Sequence, residues 1–389
     1  MILALTLSLA YTWGRGNRGG GRWKGRPGRG KTGHSKPGYG RPNYSKPGHG
    51  RPSHSKPGNG KPGHSKPSSS GSSSPTCREG FSRNILRSRT VLAAKNELKE
   101  KLFSGNEDRF AVAVRIAFHD CVGGCDGCIN RNNPDNFGSM FTSLDIIDRI
   151  YDDGYKDFMS RADFYVLAGV TALEESLNFN NVNLTSNFIR PVGFKFKYGR
   201  CDCPTSPRTN VDRPFPHGHF DYEEVMDFFR REFGFSVRES VAIMGAHTLG
   251  GASGARGSGF EGFWKEGATE AARLNQRYYS LLVDRQLNWQ NVDQSQNNGF
   301  SEERWQWVAG STPAGVPAPF MLNADVALFR DVQPDDNGKS RCQFNSCSFS
   351  PSARIVRRYA RNRNLWMRDF APTWDKLVAK GGKNLRDPV

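Results

Sequence analysis

Apolar positions in this chain recur mostly at helical spacing. Residues 85 to 103 place Ile85, Leu86, Leu92, Leu98 and Leu102 among charges, which predicts an amphipathic helix. A second helix is expected over 107 to 121 and a third, rich in Ala and Leu, over 161 to 177. Ser236-Val-Arg-Glu239 has the spacing of a capping box, which predicts a helix running into Val241-Ala-Ile-Met-Gly-Ala-His247 and stopping at Gly250 and Gly251. Strand-like alternation is scarce. Phe194-Lys-Phe-Lys-Tyr198 is the main example and reads as a short edge strand. The expected class is mostly α with minor β.

The pattern collapses toward the N-terminus. Residues 31 to 66 repeat with a period of ten (Lys31-Thr-Gly-His-Ser-Lys-Pro-Gly-Tyr-Gly, then Arg41-Pro-Asn-Tyr-Ser-Lys-Pro-Gly-His-Gly and its variants) and offer almost nothing apolar to bury. Burial there cannot offset roughly 1 to 2 kcal/mol per residue of backbone ordering entropy, so a disordered or polyproline-like tail is expected. A Ser-rich hinge, Ser68 to Ser74, follows. The expected organisation is a signal-like segment over 1–10, a disordered basic tail over 11–76 and one folded domain over 77–389. Ile2 to Ala10 ends in Ser8-Leu9-Ala10, a small-x-small pattern suited to secretory cleavage, and is too short to span a bilayer.

Charge follows the same boundary. The chain carries 55 Lys and Arg against 38 Asp and Glu, a formal +17, and 14 of those basic residues lie between Arg15 and Lys66, where no acid occurs. From Cys77 onward the balance is 41 to 38, which removes any general argument for nucleic-acid binding by the folded part. The tail is suited to acidic matrix polymers, held electrostatically and released by salt. The eight cysteines suit an oxidising compartment. Secretion, with an extracellular-matrix location, is the expectation.

Four histidines lie outside the tail: His119, His217, His219 and His247. Arg115 and His119 are four apart on a predicted helix and share a face, so an imidazole that moves protons and a guanidinium that stabilises charge stand together. That spacing alone is common. Cys121-x3-Cys125-x2-Cys128 also fits three thiolates on an iron-sulfur cluster, but repeated strand-helix units are missing and an exported chain would oxidise the thiols.

Arg115-Ile-Ala-Phe118-His119-Asp120-Cys121 resembles the distal-helix signature of the plant-type haem peroxidase superfamily, and Met244-Gly-Ala-His247-Thr248-Leu-Gly250 resembles its proximal signature. The resemblance runs from about Ser82 to Arg368 and implies a two-lobed helical domain holding haem b between two helices. It implies H₂O₂ and a small reducing substrate as reactants. Arg115, His119 and Asn136 would be the catalytic set, with Asn136, in Pro134-Asp-Asn136-Phe-Gly138, accepting from the distal imidazole so that Nε2 can take a proton. His247 would be the axial iron ligand, and Asp325, in Phe320-Met-Leu-Asn-Ala-Asp325, would polarise it.

Gly257-Ser-Gly-Phe-Glu-Gly-Phe-Trp264 resembles the block in cytochrome c and ascorbate peroxidases that stacks a Trp near the proximal ligand. One extra residue separates it from His247, so Trp264 matches by motif and Phe263 by count. Phe118 resembles the secreted classes instead, which makes the chain a hybrid.

The secreted classes also imply Ca²⁺ at Asp120, Asp126 and a carbonyl such as that of Gly124, although Cys128 stands where a Ser ligand would be. A solvated or capping pair of Asp is the other reading. Thr248 matches a proximal cation ligand, but Lys265 and Asn275 replace its companions, and Lys265 could supply the charge itself. The same resemblance implies a Cys121–Cys125 disulfide, and Cys342 and Cys347 are close enough for a second local loop. For the donor, Pro214 matches a position that contacts aromatic substrates and Arg256 lies one residue from an ascorbate-type position. With Tyr39 and Tyr44 in the tail, these point to phenolic or tyrosyl donors and to crosslinking of a matrix. The competing reading is a structural matrix protein with a weak or inactive peroxidase domain.

Overall fold

The computed structural model describes residues 85–136, 140–183, 188–253, 258–295 and 303–389, all within one unit of the chain, Ser70–Val389. The signal-like run, the repeats, the hinge, Cys77 and Arg256 lie outside the described residues.

Helix α1, Ser88–Leu98, continues through a π-turn at Lys99–Phe103. Its buried stripe is Val91, Ala94, Leu98 and Leu102, whereas Leu92 and the preceding Ile85 are exposed. Leu92 lies one residue off that stripe, and a helix buries residues three and four apart. Helix α2, Arg109–Cys121, carries Arg115 and His119. It packs against α3, Met140–Gly154, and α4, Arg161–Asn183. A Cβ on Gly169 of α4 would stand 2.7 Å from the Ala117 Cβ, so this close approach needs glycine. Asp202 caps α4, its two oxygens accepting from the N–H groups of Arg161 (3.0 Å) and Ala162 (2.8 Å).

On the proximal side, α5 spans Tyr222–Phe233 and α6 Val237–Met244. The Ser236–Glu239 capping box forms, with Ser236 N–H donating to Glu239 at 2.8 Å. Past Met244 the helix tightens into a 3₁₀ turn, Gly245–Thr248, which bears His247. The chain then enters β1, Gly251–Ala252, paired antiparallel with β2, Gly262–Phe263.

Short helices α7, Ala268–Ala271, and α8, Arg277–Val283, follow. An antiparallel sheet comes next: β3 (Trp289–Asp293), β4 (Trp305–Ala309) and β5 (Phe320–Met321). It delivers the chain to the one-turn helix α9, Asn323–Val326, and then to α10, Ala353–Arg361, and α11, Arg363–Val378. Helix α11 contacts both α2 and α6. Its Trp366 donates to the Ala242 carbonyl at 3.1 Å, and its Trp374 packs on Gly169. One helix thereby references both histidine-bearing helices.

The expected edge strand at 194–198 is not one. Phe194, Phe196 and Tyr198 are buried on alternate positions, so the period of two is real, but among the described residues its β pairing is a single bridge from Tyr198 to Arg386. The extended segment packs on α11 instead: Phe194 meets Phe370 edge-on at 6.1 Å, and Lys195 N–H donates to Asp375 at 2.9 Å.

Between described residues three disulfides form, Cys121–Cys125, Cys128–Cys203 and Cys342–Cys347, and none of the described cysteines is free. With Cys121, Cys125 and Cys128 all bridged, the iron-sulfur reading is excluded. Cys128–Cys203 ties the loop after α2 to the segment capping α4 across 75 residues, which the chain-entropy relation values at about 4 kcal/mol, against about 2 for the five-residue Cys342–Cys347 loop. The double variant Cys128→Ser/Cys203→Ser should therefore lower the denaturation midpoint about twice as far as Cys342→Ser/Cys347→Ser. Equal losses in matched denaturant titrations would refute that ordering.

Candidate functional site

Arg115 and His119 lie one turn apart on α2, and the Arg115 Nε stands 3.3 Å from His119 Nε2. A guanidinium Nη donates to the Asp135 carbonyl at 2.5 Å, which holds the side chain extended. Arg115 is surrounded by protein yet open to solvent, as a group on the wall of a cleft is. The other imidazole nitrogen, Nδ1, is 2.6 Å from Asn136 Oδ1. Asn136 is itself oriented, its Nδ2 donating to the Asn130 carbonyl at 2.7 Å. Because an amide oxygen can only accept, Nδ1 carries the proton and Nε2 keeps its lone pair.

Burial pushes His119 down to about 3, the Arg115 charge pushes the same way, and the Asn136 hydrogen bond opposes both. The imidazole is therefore neutral at ordinary pH, and its Nε2 is a base beside a fixed positive charge. Phe215 stacks on His119 at 4.2 Å, and Phe118 meets it edge-on at 5.7 Å.

His247 has the same logic with a stronger partner. Its Nδ1 is 2.8 Å from Asp325 Oδ1 on α9, a carboxylate with no solvent exposure. Tyr278 donates to the same oxygen at 2.7 Å, and Leu322 N–H to the other at 2.8 Å, so every Asp325 contact is charge-assisted or a helix cap. The His247 side chain is 35% exposed despite these anchors, and with Nδ1 engaged the accessible ligating atom is Nε2.

Trp264 stacks on His247 at 4.2 Å with planes 4° apart, and Phe320 stacks on the far face of Trp264 at 4.3 Å. The register explains why Trp264 and not Phe263 does so. Gly251 pairs with Phe263, adjacent residues face opposite ways, and the next residue, Trp264, returns its N–H to the Gly250 carbonyl at 3.2 Å. Phe263 is 40% exposed.

One loop links the two halves. Phe215 covers His119, and three residues on the Gly218 carbonyl accepts from Ala324 N–H at 3.1 Å, beside Asp325. Pro214 opens this loop and is exposed. The residues present fit a haem: two imidazoles with Nδ1 committed, His247 backed by a carboxylate with its Nε2 accessible and His119 backed by an amide with a guanidinium beside its Nε2, in a wall of aromatic side chains.

The expected cation positions hold basic side chains. Asp126 accepts twice from Arg213, at 2.9 and 2.8 Å, and the Cys128 sulfur is in a disulfide. Asp120 Oδ1 takes the Cys128 N–H at 3.0 Å while Oδ2 has no partner. Burial, reinforced by Asp126, holds the Asp120 carboxyl well above the usual range. Gly124 contributes a backbone N–H to the Cys121 carbonyl at 3.1 Å. Among the described residues no three His, Cys, Asp or Glu side chains form a metal-binding group.

On the proximal side Lys265, fully buried, donates to the Arg273 carbonyl at 2.7 Å and approaches Asn275 Oδ1 at 3.4 Å. Thr248 Oγ1 lies 3.5 Å from that same Asn275 oxygen. Lys265 occupies the place among these oxygens.

Four contributors had no sequence signal of their own: Asn130, Phe215, Tyr278 and Arg213. Phe215 adjoins Pro214, which the resemblance marked, but nothing in the pattern announced that its ring would cover His119.

The peroxidase family profile matches residues 93–337. The chain is 26% identical to the mitochondrial cytochrome c peroxidase of Aspergillus fumigatus, covering 69% of this chain and 63% of that protein. It is 26% identical to the corresponding protein of Candida glabrata, over 69% and 64% of the two chains. A Cryptococcus neoformans var. neoformans protein named as a heme-binding peroxidase is 29% identical over 74% of this chain and 78% of its own length. The aligned part spans a little under two thirds of the two cytochrome c peroxidases. With a profile match covering more than half of its length, this chain belongs to the peroxidase family.

Proposed function

We propose that the protein is a haem b peroxidase that reduces H₂O₂ and oxidises phenolic or tyrosyl donors outside the cell. The carrying observation is the pair of histidines whose Nδ1 atoms are each committed to an acceptor, with Arg115 at 3.3 Å from the distal Nε2. His247 would hold the haem iron. When bound, the haem supplies the redox chemistry that splits peroxide.

The side chains divide the remaining tasks. His119 Nε2 would take a proton from one peroxide oxygen and return it to the other, a transfer open to a neutral imidazole. Arg115 stabilises the negative charge that develops on the departing oxygen. Asp325 keeps the proton on His247 Nδ1 polarised toward itself, which makes Nε2 more electron-donating. Phe215 and Phe118 shield the His119 ring, and Trp264 covers one face of His247.

The extracellular reading is supported by the disulfides and by the signal-like run and basic repeats in the sequence. The tail would hold the enzyme on acidic matrix polymers, with retention falling as salt rises. Two relatives are named for cytochrome c, so reduced cytochrome c is the competing donor; faster turnover with it than with guaiacol would replace the phenolic assignment.

Replacing His247 with Ala should abolish ordered haem uptake, read as loss of the Soret band in a titration. His119→Leu should retain that band and lose about 10²- to 10⁴-fold in the rate of reaction with peroxide. Normal turnover by either variant would sink the assignment, and a wild type that binds haem without turnover would favour the structural reading.

The pH dependence has a definite sign. Because Arg115 lowers the proton affinity of His119, Arg115→Gln should move the acid limb of the peroxide reaction to higher pH as well as slowing it. A limb that stays in place, or moves down, would count against His119 as the base.

A further inference from the structure

The proximal hydrogen-bond partner of Asp325 is the first of three tyrosines in contact. Tyr278 lies 6.3 Å from the His247 ring and 4.9 Å from Tyr279, and Tyr279 lies 5.2 Å from Tyr359. All three are buried, with exposures of 1% or less. Burial raises the proton affinity of each phenol, so each is a neutral phenol at ordinary pH.

The ends of the row differ from its middle. Tyr278 donates to Asp325 at 2.7 Å, and Tyr359 donates to Asp369 Oδ2 at 2.7 Å, so both phenols have a carboxylate ready to take a proton. Tyr279 donates to the backbone carbonyls of Val241 and Ala242, which are not bases. Tyr279 can therefore pass an electron through its ring but is a poor place for a radical to rest. Asp369 is 16% exposed and pairs with Arg238, which is 49% exposed. Tyr359 is thus one side chain beneath the surface where α6 and α10 meet α11.

We propose that Tyr278, Tyr279 and Tyr359 carry an oxidising equivalent from the proximal pocket to a second donor site at the Arg238–Asp369 surface, serving phenols attached to polymers too large to reach the haem. The proposal rests on the haem peroxidase reading, with peroxide-oxidised haem as the electron acceptor. One electron leaves Tyr278 for the haem while its proton moves to Asp325. An electron from Tyr359 then crosses the Tyr279 ring, Tyr278 recovers its proton, and the Tyr359 proton shifts to Asp369. An external phenol gives one electron to Tyr359 while Asp369 returns the proton it holds, and the phenol, losing its own proton to solvent, departs as a phenoxyl radical. Each peroxide can drive this sequence twice.

Haem-loaded full-length protein would be mixed with one equivalent of H₂O₂, followed optically, and freeze-quenched for electron paramagnetic resonance. Wild type and Tyr155→Phe, a tyrosine bonded to Glu97 away from the row, should show a tyrosine radical that Tyr359→Phe loses. In steady state, Tyr359→Phe should oxidise phenol-substituted dextran about tenfold more slowly, with guaiacol oxidation within about twofold of wild type. An unchanged Soret band and thermal midpoint would confirm that it folds. Wild type that reacts optically with peroxide but forms no tyrosine radical, or Tyr359→Phe that matches it on dextran-linked phenol, overturns the relay and leaves the haem reading standing. Absence of any optical reaction with peroxide overturns both.

Discussion

An imidazole offers two nitrogens, and the chemistry of this site depends on taking one of them out of play. At His119 the Asn136 amide oxygen does so, and at His247 the Asp325 carboxylate does. The acceptors differ in charge, and that difference assigns the roles. A neutral amide fixes the tautomer of His119 without making it a strong base, and burial keeps it unprotonated. A buried anion at His247 pushes electron density through the ring to the free nitrogen, which suits a ligand better than a proton shuttle. Exchanging the two acceptors would leave the same histidines with the wrong properties.

Most of the fold serves to hold those acceptors still. Asn136 is braced by the Asn130 carbonyl, and the segment around it is tied down by disulfides at Cys121–Cys125 and Cys128–Cys203. Asp325 spends one oxygen on the start of its own helix, and Asn323, two residues earlier, accepts from Trp307 at 2.8 Å. The three-stranded sheet thus fixes the carboxylate. Helix α11, touching both α2 and α6, sets the two histidine-bearing helices against one reference.

Legibility in the sequence divided along physical lines. The Ser236–Glu239 cap and the α2 pairing of Arg115 with His119 are local, so spacing sufficed. Asn136, Asp325 and Trp264 are distant in sequence and were found through resemblance to a family, since no periodicity brings them to a histidine. The choice between Trp264 and Phe263 could not be made by counting; the β1–β2 register decides it, and register is a property of paired backbones. Tyr278 and Phe215 act through contacts between segments that share no pattern. Leu92 misled for a simpler reason, being apolar at a position one residue off the buried stripe.

The two cation positions show how far a motif can be followed. Asp120, Asp126 and Thr248 are the residues the resemblance required, yet Arg213 has taken Asp126 and Lys265 has entered beside Thr248. A tethered cation costs no ion-binding equilibrium, but it must be desolvated. Burial pushes Lys265 down to about 7. With the folded value below the unfolded one, the unfolded chain takes up its proton first as pH falls from about 10.5 toward 7, so this side chain subtracts stability across that window. The loss is bounded because the Arg273 carbonyl and Asn275 remain to receive the ammonium once it forms. A buried lysine here makes the local charge depend on pH, in the layer directly next to Trp264 and His247.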